Sequence, residues 1–212
     1  MILENDLPNM RKNYEKGEFN IANAYPSPYH QFEKWFDAAK QTNIVEPNAM
    51  VLSTATKEGE PSSRIVLLKG YDEDGFIFFT NYNSRKGKEL TDNPHACLNF
   101  WWGGLEKQIR IDGVVQKISA KESDDYFYSR PIGSQAGAMA SPQSEVIESR
   151  EWLEKKFIET QLQGNIKRPE QWGGYILKPN AIEFWQGRTN RLHDRLLYTL
   201  SNGKWNIQRL AP

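Results

Sequence analysis

Basic and hydroxyl side chains gather at three places along this chain, in patterns suited to holding phosphate. The first is Arg64, Lys69, Arg85 and Lys86. Ser84 is a good helix N-cap just ahead of Arg85-Lys86. Free N–H groups of a first helical turn, the positive end of its dipole and two cations together make an anion site. The second cluster is Tyr126, Arg130 and Ser134. Tyr126 and Arg130 stand one helical turn apart and so share a face. An Arg with a Tyr and a Ser hydroxyl is a second phosphate clamp, or else a salt-bridged surface helix. The third is Trp185-Gln186-Gly187-Arg188-Thr189-Asn190-Arg191-Leu192-His193-Asp194-Arg195. It is a binding loop or a charged hairpin loop.

In a regular strand, Arg64 and Lys69 would face opposite sides, because they are an odd number of positions apart. Their backbones would lie roughly 16 Å apart at about 3.3 Å per residue. One phosphate does not explain both. Either a bulge intervenes, or they serve different parts of one ligand or two ligands, or both are strand-end cations in water.

No nucleophile-and-base signature accompanies these clusters. G-x-S-x-G, a paired-carboxylate motif and G-x-x-x-x-G-K-[ST] are all missing. Phosphate sites without covalent machinery suit a protein whose cofactor carries the chemistry. Seven Trp, nine Tyr and ten Phe fit either an ordinary core or a site that stacks a planar ring. No metal site is expected: Cys97 is the single cysteine, and the three histidines have no H-x-x-x-H spacing. The 27 basic and 27 acidic residues cancel, so no bulk field draws the chain to nucleic acid or membrane. The N-terminus lacks the pattern of a signal peptide, and no apolar run approaches membrane-spanning length. The expectation is a soluble cytoplasmic protein.

The elements that must position these residues follow from punctuation and period. A loose, mobile arm is expected over residues 1–20, with a turn of helix at Met10–Lys16, followed by a single domain over 21–212. Ser27-Pro28 opens a helix carrying Tyr29, Phe32, Trp35/Phe36 and Ala39 on one stripe, a core contact. Strands are expected at 49–56 and 61–69 as a hairpin. A turn at Tyr71–Gly75 and a strand at 76–80 follow, then a helix from Ser84 to Asp92 and strands at 95–102 and 106–118. Ser119 with Glu122 is a capping box for the helix that bears Tyr126 and Arg130. Residues 131–144 read as a binding loop with a short helix, and 149–162 as a charged helix. A hairpin around Pro179-Asn180 and another around Asn202-Gly203 complete the chain. Seven or eight antiparallel strands with about four helices predict a mainly β, α+β barrel with peripheral helices.

The motifs resemble the pyridoxamine/pyridoxine 5′-phosphate oxidase family over nearly the whole chain from Arg11 to Pro212. They are R-I-V-L-L-K at 64–69, N-Y-x-S-R-K-G at 81–87, Y-x-x-R-P-x-G-S around 126–134, S-P-Q-S at 141–144, W-Q-G-R-x-x-R-L-H-D-R at 185–195 and R-L-A-P at 209–212. The resemblance implies a split β-barrel homodimer with FMN at the subunit interface. It implies oxidation of pyridoxamine and pyridoxine 5′-phosphates to pyridoxal 5′-phosphate, with O2 reduced to H2O2. FMN would then be held by Arg64, Ile65, Val66, Leu67, Leu68, Lys69, Phe79, Thr80, Arg85, Lys86, Gln108, Gln143, Ser144, Trp185 and Arg195. Substrate would be met by Arg11, Tyr14, Lys69, Tyr126, Arg130, Ser134, Arg191, Leu192 and His193, with Arg191 and His193 as the catalytic candidates. Phe79 departs from the family, which more often has Tyr there. A backbone contact survives that change and a hydroxyl contact does not. Two other classes keep the first anion cluster: a non-catalytic flavin or haem carrier, which would lack the substrate clamp, and a flavin reductase acting on another substrate, which would not need Arg130.

Overall fold

A computed structural model describes residues 9–10, 12–164 and 166–212. Its main elements are α1 (Pro28–Lys40), β1 (Ala49–Ala55), β2 (Pro61–Leu67), β3 (Gly70–Asp72), β4 (Gly75–Asn81) and α2 (Arg85–Asp92). Then come β5 (His95–Trp102), β6 (Lys107–Lys117), α3 (Ala120–Ser129), α4 (Ile132–Ala140), α5 (Arg150–Leu162), β7 (Trp172–Gln186), β8 (Asp194–Ser201) and β9 (Lys204–Leu210). The strands share one sheet in the order β2-β1-β5-β6-β7-β4-β3, with β8 on β7 and β9 on β8. The hairpins β1–β2, β3–β4 and β8–β9 are antiparallel, as are the pairings of β7 with β4 and with β8. The expected α+β class, dominated by antiparallel sheet, is the one observed.

Contacts divide the chain into two compact units. One holds residues up to Pro47, Asn99–Ile111 and Ala181–Pro212. Its core is aromatic: Phe32, Trp35, Phe100, Trp102, Phe184 and Tyr198 are buried. Trp35 meets Phe184 edge-on at 5.3 Å, and Phe32 meets Phe100 at 5.4 Å. Helix α1 contributes Phe32, Trp35 and Ala39 to that core, as its stripe predicted, and Ser27 Oγ caps it by accepting from the His30 N–H. Asn202 and Gly203 take positive φ in the tight turn joining β8 to β9.

The other unit holds Asn48–Leu98 and Asp112–Asn180. Leu52, Phe76, Phe78, Leu90, Phe127, Tyr175 and Leu177 fill its core. The capping box at the start of α3 forms: Ser119 Oγ accepts from the Glu122 N–H, and the Glu122 carboxylate accepts from the Ser119 N–H.

Three expectations are corrected. No helical turn forms over residues 12–16, whose backbone N–H groups at Glu15 and Lys16 go to a side chain instead. The strand expected at 61–69 stops at Leu67: Leu68 N–H turns to Asn48 O and Lys69 N–H to Ile77 O. The hairpin expected around Pro179-Asn180 is instead one strand, β7, running from Trp172 to Gln186. The pairing register explains the last. β4 pairs with residues 172–177 and β8 with 181–186. Pro179 falls between those two partners, where a missing N–H removes no ladder bond to either.

The β3–β4 turn sets the register that brings Phe79 and Thr80 beside Lys69. Asp72 Oδ1 accepts from the N–H groups of Asp74 and Gly75, at 2.8 and 3.2 Å. Gly75 sits at φ 149°, and a Cβ there would stand 2.2 Å from the Leu177 carbonyl oxygen. Gly75→Ala is expected to destabilise the protein by about 1–3 kcal/mol, the usual effect of overpacking a tight site. Chemical denaturation reads this directly, and an unchanged midpoint would show that β4 and β7 can part at no cost.

Candidate functional site

In the second unit, the end of β2, the start of the β3 segment, β4, α2, α3 and α4 converge on a pocket of about 490 Å³. Arg64, Ile65, Val66, Leu67, Lys69, Phe79, Thr80, Lys86, Tyr126, Arg130, Ser134 and Gln143 line it, with Pro131 and Trp172. The parity conflict between Arg64 and Lys69 dissolves here, because the strand breaks between them and both reach one cavity. Among the described residues β2 is an edge strand paired to β1 alone, so one row of its peptide groups has no strand partner.

Aromatic rings build one wall. Phe79 stacks on Tyr126 with centroids 3.9 Å apart, and on Trp172 at 5.5 Å. The ring of Phe79 is thus absorbed in packing, where a Tyr hydroxyl is not required. The Arg130 guanidinium lies 4.7 Å over the Trp172 ring. Burial lowers the pKa of Arg130 from its ordinary value. Its Nη1 is buried and has no hydrogen-bond partner among the described residues. A buried guanidinium N–H without an acceptor is an unfilled demand for an anion.

Lys86 makes the same demand deeper in the pocket. Only 8% exposed, its Nζ donates to Gln143 Oε1 at 2.8 Å, Thr80 Oγ1 at 3.2 Å and Ser84 Oγ at 3.3 Å, all of them neutral. Burial first, and the charge of Arg64 second, bring its pKa down to about 8, with Glu89 opposing in part. Ser84 caps α2 by accepting from the Gly87 N–H, which leaves the dipole end beside Lys86. These donors fit the phosphate of a cofactor.

A carboxylate braces this cluster. Glu89, 5% exposed, accepts from Ser62 Oγ at 2.6 Å, Arg85 Nε at 2.8 Å, Arg64 Nη2 at 3.4 Å and Thr54 Oγ1. Burial alone would raise its pKa, but the hydrogen bonds from Ser62, Thr54 and Arg85 and the charge of Arg64 outweigh it and bring the value to about 2. Its stabilising contribution is therefore present above the ordinary carboxylate value and lost only as pH falls towards about 2. Arg64 is further held by Leu52 O at 3.3 Å and Thr54 Oγ1 at 2.5 Å. Arg85 and Ser144 open instead onto a neighbouring cleft, and Leu68 is buried.

In the first unit, Tyr14, Arg191 and His193 line a pocket of about 640 Å³ with Met10, Lys12, Asn13, Arg188 and Asn190. Asn190 and Arg191, in the loop between β7 and β8, both take positive φ, at 55° and 61°. The His193 ring lies 4.6 Å from Trp185 and 5.8 Å from Tyr14, centroid to centroid. Its Nδ1 accepts the Arg188 N–H at 3.1 Å. In the neutral ring the proton therefore sits on Nε2, which makes that nitrogen a donor. Burial and the charge of Arg191 lower the His193 pKa, which favours the neutral ring. Arg195 is held by Glu183 Oε1 at 2.7 Å and Ala211 O at 2.9 Å, and Gln108 lies on the half-buried face of β6. Leu192 is exposed, and Arg11 lies outside the described residues.

Trp172 and Glu89 went unanticipated as parts of these sites. Glu89 had a signal, since it stands one helical turn after Arg85. Trp172 had none, because its ring reaches the pocket only through the pairing of β7 with β4.

Residues 36–164 match the family model for pyridoxamine 5′-phosphate oxidase, and residues 172–212 match that for the pyridoxine 5′-phosphate oxidase C-terminal dimerisation region. A pyridoxine/pyridoxamine 5′-phosphate oxidase of Paraburkholderia phymatum is 57% identical over 209 residues, 97% of this chain and 99% of its own. That of a Nostoc species is 52% identical over 214 residues, 99% of this chain and all of its own. Among solved structures, PhzG from Burkholderia lata in complex with tetrahydrophenazine-1-carboxylic acid superposes with a TM-score of 0.86 at 33% identity, covering 90% of this chain and 95% of its own. A pyridoxamine 5′-phosphate oxidase-related, FMN binding protein from Nostoc punctiforme has the same fold, with a TM-score of 0.71 at 16% identity over 89% of this chain and all of its own. No helix among the described residues is long and apolar enough to cross a membrane. With two family models covering most of its length and relatives above half identity end to end, the chain belongs to the pyridoxine/pyridoxamine 5′-phosphate oxidase family.

Proposed function

We propose that this protein is an FMN-dependent oxidase that converts pyridoxamine 5′-phosphate and pyridoxine 5′-phosphate to pyridoxal 5′-phosphate, passing electrons to O2 and releasing H2O2. The observation that carries this reading is the pair of anion demands in one pocket: Lys86 among neutral oxygens and Arg130 with a buried, unpartnered N–H. Two phosphates, one of the cofactor and one of the substrate, answer both.

In this reading Arg64, Lys86, the α2 N-terminus, Thr80 and Gln143 hold the FMN phosphate, and Arg85 and Ser144 approach it from the neighbouring cleft that Gln143 also lines. The free edge of β2 at Ile65–Leu67 faces the ring system, with Leu68 packed behind it, and Phe79 contributes through its backbone. Gln108, Trp185 and Arg195 complete the flavin contacts at the interface of a homodimer, for which residues 172–212 are the matched region. Lys69, Tyr126, Arg130 and Ser134 clamp the substrate phosphate. Bound there, FMN supplies the hydride acceptor for oxidation at C4′ of the vitamer. Tyr14, Arg191, Leu192 and His193, with Arg11, meet the pyridine end. Arg191 acts by electrostatics, through its guanidinium. Neutral His193 with its proton on Nε2 donates a hydrogen bond to the substrate and does not act as a base through Nδ1, which Arg188 already occupies. The amine substrate leaves C4′ as an imine that water hydrolyses to the aldehyde and ammonia; the alcohol yields the aldehyde directly.

Mixing the purified flavoprotein with pyridoxine 5′-phosphate without oxygen is expected to bleach the flavin band, and admitting air to restore it. An intact band after mixing would favour a carrier, a reductase or an oxidase for another substrate. Tetrahydrophenazine-1-carboxylic acid, which carries no phosphate, is the control suggested by the PhzG likeness. Arg130→Ala is expected to raise KM for the phosphorylated vitamers at least tenfold while FMN stays bound, because a charge-assisted bond contributes about 1.5–3 kcal/mol. Loss of flavin from that variant would instead place Arg130 at the cofactor.

A further inference from the structure

The N-terminal segment is fastened where it would have to be to shape the pyridine end of the site. We infer that Glu106 is the latch, a positioning residue that holds Tyr14 against His193 without touching substrate itself. The inference rests on the functional reading above for what Tyr14 meets, and on geometry alone for the latch.

Glu106 follows a short 3-10 turn, Gly103–Leu105, that joins β5 to β6. It takes the left-handed conformation, φ 55° and ψ 39°, which a side chain adopts only when its surroundings demand it. The residue is only 8% exposed. Its Oε2 accepts two backbone N–H groups of the arm, Glu15 at 2.8 Å and Lys16 at 2.9 Å. Lys16 Nζ closes the same contact by donating to Gly104 O at 2.6 Å. The main-chain oxygen of Glu106 accepts from Gly187 N at 2.8 Å and Gln186 Nε2 at 3.2 Å. One residue thus ties the arm to the strand end that leads into the Arg191 and His193 loop.

The strand end is cut to receive the arm. A Cβ on Gly187 would lie 2.7 Å from the Tyr14 ring, so only glycine lets the ring settle there. Tyr14 then stands edge-on to Trp185, 5.7 Å between centroids, and 5.8 Å from His193. Further along, Phe19 is buried against Trp35, and its N–H reaches Asp194 Oδ2 at 3.0 Å. That second tie holds the base of the arm. Glu106 alone among the described residues holds the backbone directly after Tyr14. A buried carboxylate facing two peptide N–H groups is a strong anchor, and removing it leaves both donors unpaired.

The test uses the full-length holoprotein and two variants. Glu106→Gln keeps the shape and removes the charge; Glu106→Gly removes the carboxylate and suits the positive φ, so the fold is not put at risk. Hydrogen exchange of the peptide containing the Glu15 and Lys16 amides is expected to quicken about tenfold or more in Glu106→Gly and less in Glu106→Gln, on the scale of lost charge-assisted bonds. KM for pyridoxine 5′-phosphate should rise in the same order, while flavin content and exchange elsewhere stay at the wild-type level. Unchanged exchange at Glu15 and Lys16 overturns the latch. Quickened exchange with unchanged KM overturns the positioning role. Quickened exchange throughout the chain, or flavin loss, makes Glu106 a general structural residue and overturns it as well. Were the wild type inert towards phosphorylated vitamers, the functional reading would fall, and exchange would still decide the latch.

Discussion

A positive charge shut away from water needs a negative one, and this protein buries Lys86 beside neutral oxygens. Lys86 is surrounded by Thr80, Ser84 and Gln143, and Arg130 keeps an N–H with no acceptor. A protein selected for stability alone would pair such groups or leave them wet. In the proposed function the pairing is left to ligands. The rest of the second unit follows from that: α2 turns its N-terminus to the pocket, β2 ends early so that Lys69 can join Arg64, and an aromatic wall of Tyr126, Phe79 and Trp172 supports the charges from below.

Carboxylates in this molecule serve as braces placed behind the working groups. Glu89 fixes Arg64 and Arg85, Glu183 fixes Arg195, and Asp194 holds Arg188, Arg209 and the Phe19 N–H. Much of the dense charge around residues 185–195 is therefore scaffolding, and Arg191 and His193 are what the scaffold presents. The same economy explains the acceptor role of His193 Nδ1. Once Arg188 N–H occupies it, the ring has one defined tautomer and one outward-facing donor.

The residues proposed to bind were legible in the sequence because their chemistry is compact: Ser84-Arg85-Lys86 at a helix start, and Tyr126 and Arg130 one turn apart; Lys86, Tyr126 and Arg130 line one pocket. The braces were harder to read. Glu106 is one acid among 27 until the chain returns Glu15 and Lys16 to it from far away in sequence. The strand from 61 to 69 looked regular because nothing local marks the break after Leu67, which comes from Leu68 and Lys69 bonding to different neighbours. Pro179-Asn180 looked like a turn because the dipeptide is turn chemistry, yet it lies in the gap between two partners of a long strand. Local signals report propensity; pairing across the sheet decides the outcome.

If Lys86 awaits a phosphate, its protonation measures the binding. In the free site its pKa is lowered to about 8, so near pH 8.5 much of it is neutral, whereas a bound phosphate dianion, with its second pKa near 6, would restore the charge. Calorimetric titration of the apoprotein with FMN in two buffers of different ionisation enthalpy at that pH should show net proton uptake, with affinity falling as pH rises above about 8. Lys86→Met should abolish both effects. FMN binding without proton uptake in the wild type, at an affinity indifferent to pH across that range, would contradict the account.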